Sequence, residues 1–184
     1  MPQVVILAGP NGAGKSTLAA RFVPRGVVFL NADDIAHQRA APPGPRANLA
    51  AGRTLLQRLN TLEDAGQSFA LETNLASRTL AVRIPRWQAW GYHVGLLFLW
   101  LPNSDVAVQR VAQRVQSGGH DIPEATIRRR YRKGLSLFLH TYQPLVDSWR
   151  VYDNTGPAGA ILVAQERVRE RAVWQQIVRE ASHD

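Results

Sequence analysis

The chain contains no cysteine. Disulfide frameworks, thiolate zinc sites and cysteine nucleophiles are therefore excluded, and a cytoplasmic setting is expected. Lysine is nearly absent too, since only Lys15 and Lys133 among the 22 basic residues are lysines. Positive charge is carried by arginine, whose planar fork suits phosphate or carboxylate, although a biased genome would give the same excess. Acidic residues number 14, leaving a formal net charge of +8. No apolar run approaches the roughly 18 to 20 residues of a membrane helix, so no membrane association is expected. The longest run, around Val94 to Leu101, reads as a buried strand. Met1-Pro2-Gln3-Val4 has neither a basic n-region nor a small-residue cleavage site, so no secretory signal is expected. Internal repeats, low-complexity tracts and linkers are also missing, and 184 residues suit a single domain over 1–184.

What is present is an alternation of short apolar runs and helical patterns. The runs are Val4 to Ala8, Val27 to Leu30, Ser68 to Leu71, His93 to Leu101 and Arg150 to Tyr152. They are continuous rather than alternating, as befits strands buried on both faces of a parallel sheet. Helical patterns lie at Ser16 to Phe22, Arg46 to Ala65, Ser77 to Trp90, Ser104 to Val115 (Ser104 as N-cap), Pro123 to about His140 and Gly159 to Ala181. Ala41-Pro42-Pro43-Gly44-Pro45 is expected to be a loop. The expectation is an α/β fold, a five-stranded parallel sheet wrapped by helices in three layers.

Directly after the first strand comes Gly9-Pro10-Asn11-Gly12-Ala13-Gly14-Lys15-Ser16, followed by Thr17, which satisfies GxxxxGK[ST] at every fixed position. Glycines let consecutive N–H groups turn inward onto phosphates while the following helix aims its positive end at the same anion. Lys15 supplies a point charge to the β- and γ-phosphates of ATP, and Ser16 is placed to ligate Mg2+. The fold expected is thus that of a P-loop NTPase. Gln116-Ser117-Gly118-Gly119-His120 superficially matches the signature of transporter-type ATPases, but the basic helix that follows replaces the apolar strand and Asp-Glu those enzymes need.

In such sheets ligands sit beyond the carboxyl ends of the strands. The second strand ends in Asn31-Ala32-Asp33-Asp34 and the third in Glu72-Thr73-Asn74. A hydroxyl nucleophile needs a base beside the γ-phosphate, and Asp33 is the candidate, with Asp34 as the cap of the next helix. Glu72 could accept from substrate hydroxyls or take the magnesium-side role. Arg110 and Arg114 lie four apart on one helix, and Arg128, Arg129, Arg130, Arg132 and Lys133 follow a Gly-Gly break. The region of about 104–140 therefore reads as an arginine-rich helical lid, with Arg114 and Arg128 over the phosphates and Arg129 and Arg132 on the surface. A nucleic-acid backbone is the minority alternative, since no aromatic residues interleave with the cluster. The five histidines show no metal-ligand spacing.

Taken in order, these motifs, with Leu71-Glu72-Thr73-Asn74-Leu75, Gly118-Gly119-His120-Asp121-Ile122-Pro123, Tyr142-Gln143-Pro144-Leu145 and Tyr152-Asp153-Asn154, resemble the zeta toxin family of P-loop kinases. The resemblance implies a nucleotide-kinase-like core of the adenylate-kinase type. It also implies ATP- and Mg2+-dependent phosphorylation of a hydroxyl of a small-molecule acceptor, UDP-N-acetylglucosamine, and an antitoxin partner. Under it Asp33 matches the catalytic base, Lys15 and Ser16 the ATP and magnesium contacts, and Glu72 the substrate-binding acid. Asn74 stands where some members have threonine, and Arg114 and one of Arg128 to Arg130 match the lid arginines. The alternatives are a nucleic-acid-end or nucleoside kinase, a P-loop ATPase acting on RNA, and a nucleotide-binding regulatory module without transfer chemistry.

Overall fold

The fold is taken from a computed structural model that describes residues 1–32, 35 and 45–182. Asp33, Asp34, His37, His183 and residues 41–44 of the loop expected over Ala41 to Pro45 lie outside the described residues, while Pro45 itself opens a helix.

Strand β1 (Gln3–Ala8) leads through the glycine-rich loop into α1 (Lys15–Phe22). There follow β2 (Val28–Leu30), α2 (Pro45–Asp64), β3 (Phe69–Thr73), the short α3 (Ile84–Ala89) and β4 (His93–Trp100). Next come α4 (Ser104–Gln116), α5 (Glu124–Leu137), β5 (Ser148–Asp153), β6 (Ile161–Ala164) and α6 (Arg171–Ala181). The sheet order is β2-β3-β1-β4-β5-β6, with the first five strands parallel and β6 antiparallel to β5. β1 is thus central, and its register sets Leu7 beside Glu72 and Ala8 beside both Thr73 and Phe98. Every strand end that meets the glycine-rich loop is fixed by that pairing.

The expected α/β sheet and its five parallel strands are present, and a sixth strand adds to them. The sequence pattern predicts a helix over Gly159 to Ala181, but Gly159 takes a left-handed φ of 82° and Ile161–Ala164 then pairs with β5. The helix begins only at Arg171. The pattern at Ser77 to Trp90 yields helix only over Ile84–Ala89, where Pro85 supplies the preset φ of a first turn. α4 is capped by Asn103 rather than Ser104, its Oδ1 accepting from the Val106 amide at 2.9 Å. The last turn of the Pro123 to His140 pattern widens into a π-helical turn over Phe138–Tyr142.

One continuous core underlies these elements. Phe98 stacks on Phe138 (ring centroids 4.4 Å apart), Phe69 meets the edge of Trp87, and Trp149 stacks on Trp174. Glu63 on α2 is the one acid among the fully buried residues described. It is satisfied by Trp87 Nε1 and Arg83, which both donate to Oε1 at 2.7 Å and so tie α2 to α3. Tyr131 of α5 has a single hydroxyl hydrogen to share between the Leu101 carbonyl (2.8 Å) and Glu180 Oε2 (2.5 Å). Burial, then Glu180, pushes its pKa well above the ordinary tyrosine value. None of the described helices is long and apolar enough to cross a membrane.

Candidate active site

The loop after β1 is built to hold backbone close to an anion. Gly9 has φ 142°, and a Cβ there would stand 2.3 Å from the Leu99 carbonyl oxygen, so β4 itself demands glycine at this position. Gly14 precedes α1 with φ 82°, and a Cβ would come within 2.7 Å of Asn154 Nδ2. The Ala13 amide donates to the Pro10 carbonyl at 3.1 Å, closing the turn. Lys15 is 7% exposed, and its Nζ donates to the Pro10 carbonyl at 2.9 Å.

Three elements converge on Glu72 at the end of β3. Ser16 Oγ donates to Glu72 Oε2 at 2.7 Å, and Asn31 Nδ2, at the end of β2, donates to the same oxygen at 3.1 Å. Asn31 also lies 3.4 Å from Ser16 Oγ, and Lys15 Nζ is 3.7 Å from Glu72 Oε1. Of the two roles considered for Glu72, this geometry favours the one beside Ser16. A hydroxyl and a carboxylate side by side are the hard oxygen donors that Mg2+ takes, so the residues fit that ion. Asn11 Oδ1 is buried without a partner among the described residues. The described residues hold no cluster of three or more His, Asp or Glu side chains that would form an all-protein metal site.

Two residues named in the sequence for other reasons turn out to support the loop. Asn154, just past β5, donates from Nδ2 to the Ala13 carbonyl at 2.9 Å. Arg110 of α4 donates to the Thr155 carbonyl at 2.9 Å and reaches the Gly12 carbonyl at 3.5 Å. Both brace the loop from the far side of β1, and a sequence shows them only as polar residues near strand or helix ends. Asn31 was visible as part of Asn31-Ala32-Asp33, but its grip on Glu72 depends on sheet order.

The lid arginines are placed unequally. Arg114 donates to the His120 carbonyl at 2.7 Å, and its buried Nε has no partner among the described residues. Gly119 makes this possible, because a Cβ there would lie 2.5 Å from Arg114 Cγ. Arg128 instead engages Glu124 of its own helix (2.8 Å) and, on α4, Asp105 (2.6 Å) and Ser104 Oγ (3.1 Å), the last two clamping α5 to α4. The structure shows no contact between Arg128 and the phosphate loop. Asn74 turns its Oδ1 back to accept from the Ala76 amide at 3.0 Å, and Leu75 beside it is buried with φ 55°. A buried non-glycine residue in that region stores strain, as functional loops do. Ser117-Gly118 closes α4, with Gly118 at φ 85°.

A model of the AAA_33 family, described as an AAA domain, matches residues 4–133. The chain belongs to that family. This AAA_33 chain is also 28% identical over 130 residues to an uncharacterized protein of Haemophilus influenzae, a match covering 70% of this chain and 92% of that protein. Among solved structures it resembles a chain of the AvrRxo1-ORF1:-ORF2 complex with ATP (TM-score 0.76, 17% identity), covering 96% of this chain and 63% of that one. It thus spans less than two thirds of that neighbour's length. It also resembles a chain of the PezAT chromosomal toxin-antitoxin system of Streptococcus pneumoniae (TM-score 0.63, 14% identity), covering 98% of this chain and 78% of that one. At such identities the likeness is one of fold, which the AAA_33 chain shares with these proteins.

Proposed function

We propose that the chain is an ATP- and Mg2+-dependent kinase that phosphorylates a hydroxyl of a small molecule. The leading acceptor is a sugar nucleotide such as UDP-N-acetylglucosamine, as in the zeta toxins whose motif order it resembles. The observation that carries this reading is the meeting of Lys15, Ser16, Asn31 and Glu72 at the mouth of the glycine-rich loop. A nucleotide-binding module without chemistry has no need of a carboxylate held by three donors at that point.

Ser16 and Glu72 would hold Mg2+, which when bound would supply positive charge to offset the charge that develops in transfer. The chain's own residues would do the rest. Backbone amides of Gly12 to Ser16 and the Lys15 ammonium bind the β- and γ-phosphates. Ser16 and Glu72 present oxygens on the metal side. Asp33, two residues beyond Asn31, takes the acceptor's proton as the new O–P bond forms and the bond from γ-phosphorus to the β,γ-bridging oxygen breaks, releasing ADP. Arg114 steadies charge on the transferring group, and Arg128 joins it only after exchanging Asp105 and Glu124 for phosphate. Asn74 orients the acceptor. A cytoplasmic setting and an antitoxin partner belong to the same reading, and the toxin-antitoxin neighbour supports the second.

The test is incubation with labelled ATP and Mg2+ beside UDP-N-acetylglucosamine, nucleosides, free sugars and 5′-hydroxyl oligonucleotides. Label should pass to a small molecule, and Asp33→Asn should lower that transfer by roughly 100-fold or more while ATP binding stays within about twofold. Undiminished turnover by Asp33→Asn would remove Asp33 from its role. Label on oligonucleotides alone would replace the acceptor class.

A further inference from the structure

Beyond the loop, a cleft of about 670 Å³ lined by cations lies between the chain that leaves β3 and the outer face of α5. Its walls carry Ser77, Arg78, Arg129, Arg132, Lys133 and Ser136. Arg129, Arg132, Lys133 and Ser136 sit at i, i+3, i+4 and i+7, one stripe of the helix. All four cations are exposed, and none makes a hydrogen bond or ion pair with a described residue. Among the described residues, no acid lines the cleft. Arg128, one position away, shows the contrast, for it is taken up by Asp105 and Glu124.

We infer that this cleft is an anion site that seats the phosphate or diphosphate of a phosphorylated acceptor, so that the substrate is a nucleotide or sugar nucleotide rather than a neutral sugar or nucleoside. The inference rests on the kinase reading above. Its geometry comes from β3: Ser77 stands five residues beyond Glu72, so at full extension the cleft wall is at most about 18 Å from the acid beside Ser16. A molecule of nucleotide size spans that interval with its phosphates in the cleft and a hydroxyl near the loop. The wall is also fixed in place. Gly134, on the opposite face of α5, is pressed so closely on the Asn74 backbone that a Cβ would lie 2.3 Å from the carbonyl oxygen, and Tyr142 donates to the Ser77 carbonyl at 2.6 Å. Guanidinium groups and serine hydroxyls together are the donor set that reads phosphate oxygens.

The first measurement is made with the loop saturated by a non-hydrolysable ATP analogue and Mg2+, titrating inorganic pyrophosphate into wild type and into Arg129→Gln/Arg132→Gln. Both arginines are exposed, and an unchanged melting curve checks that the variant folds. Pyrophosphate should bind the wild type and bind the variant at least tenfold more weakly. Equal affinity, or no binding to wild type, would overturn the inference. The second measurement is kinetic: KM for a phosphorylated acceptor should rise at least tenfold in the variant, with kcat and the KM for ATP within twofold. Tight oligonucleotide binding with a steep salt dependence, and none of pyrophosphate, would make the cleft a nucleic-acid surface and overturn it as well. Transfer to no acceptor at all would defeat the kinase reading, and the pyrophosphate titration would then decide the cleft alone.

Discussion

A carboxylate that receives Ser16 and Asn31 on one oxygen and stands 3.7 Å from Lys15 with the other is held in a single orientation. Asn154 performs a similar service for the loop, since its amide is what the Ala13 carbonyl meets. Asn154→Ala removes that donor from a partly buried carbonyl, a loss of about 1 to 2 kcal/mol, or 5- to 30-fold. Because the loop must then be ordered by the nucleotide itself, the loss should appear in ATP affinity, measured by titration, with little change in melting temperature. Unaltered affinity would mean that Asn154 is a bystander. Lys15 and Ser16 were legible in the sequence because they are consecutive with the glycines that position them. Asn31, Arg110 and Asn154 stand out in the sequence, but their contacts with the loop and Glu72 do not, because each partner lies 15 to 141 residues away.

At the scale of elements, α5 and the end of β3 meet so closely at Gly134 that no side chain fits between them. Gly134→Ala would put a methyl 2.3 Å from the Asn74 carbonyl oxygen, and backbone cannot swing aside as a side chain does. The variant should lose about 1 to 3 kcal/mol of stability, read as a lower denaturation midpoint. It should also lose transfer activity disproportionately, since the displaced segment carries Asn74 and the strained Leu75. A fully active variant of wild-type stability would contradict the approach. The helices and parallel strands were readable from apolar periodicity, whereas the segments at Ser77 to Leu80 and Ile161–Ala164 were not. In the first, residues of helical spacing are drawn instead into turns by Tyr142 and by the loop after Asn74. In the second, four apolar residues suit a helix or a strand equally, and only the free edge of β5 decides.

Across the whole molecule, buried tyrosines tie distant parts together. Tyr131 joins α5 to the end of β4 and to α6, Tyr142 joins the π-helical turn to Ser77, and Tyr92 lies beside Glu63. Burial raises the pKa of all three. Above about pH 10 the unfolded chain releases these protons while the folded chain retains them. The unfolded state then binds fewer protons, so stability, complete below that pH, falls as pH rises. Urea midpoints measured between pH 8 and 11 should decline, and Tyr131→Phe should start lower and decline less steeply. A slope unaffected by the substitution would assign the alkaline loss elsewhere.

The two lysines of the chain occupy the two anion-facing places, Lys15 inside the loop at 7% exposure and Lys133 open on the wall of the basic cleft. No other lysine occurs in the 184-residue sequence. Lysine-directed reagents therefore address the nucleotide loop and the cleft. Their difference in burial separates the two by rate, so that each site carries its own native reporter.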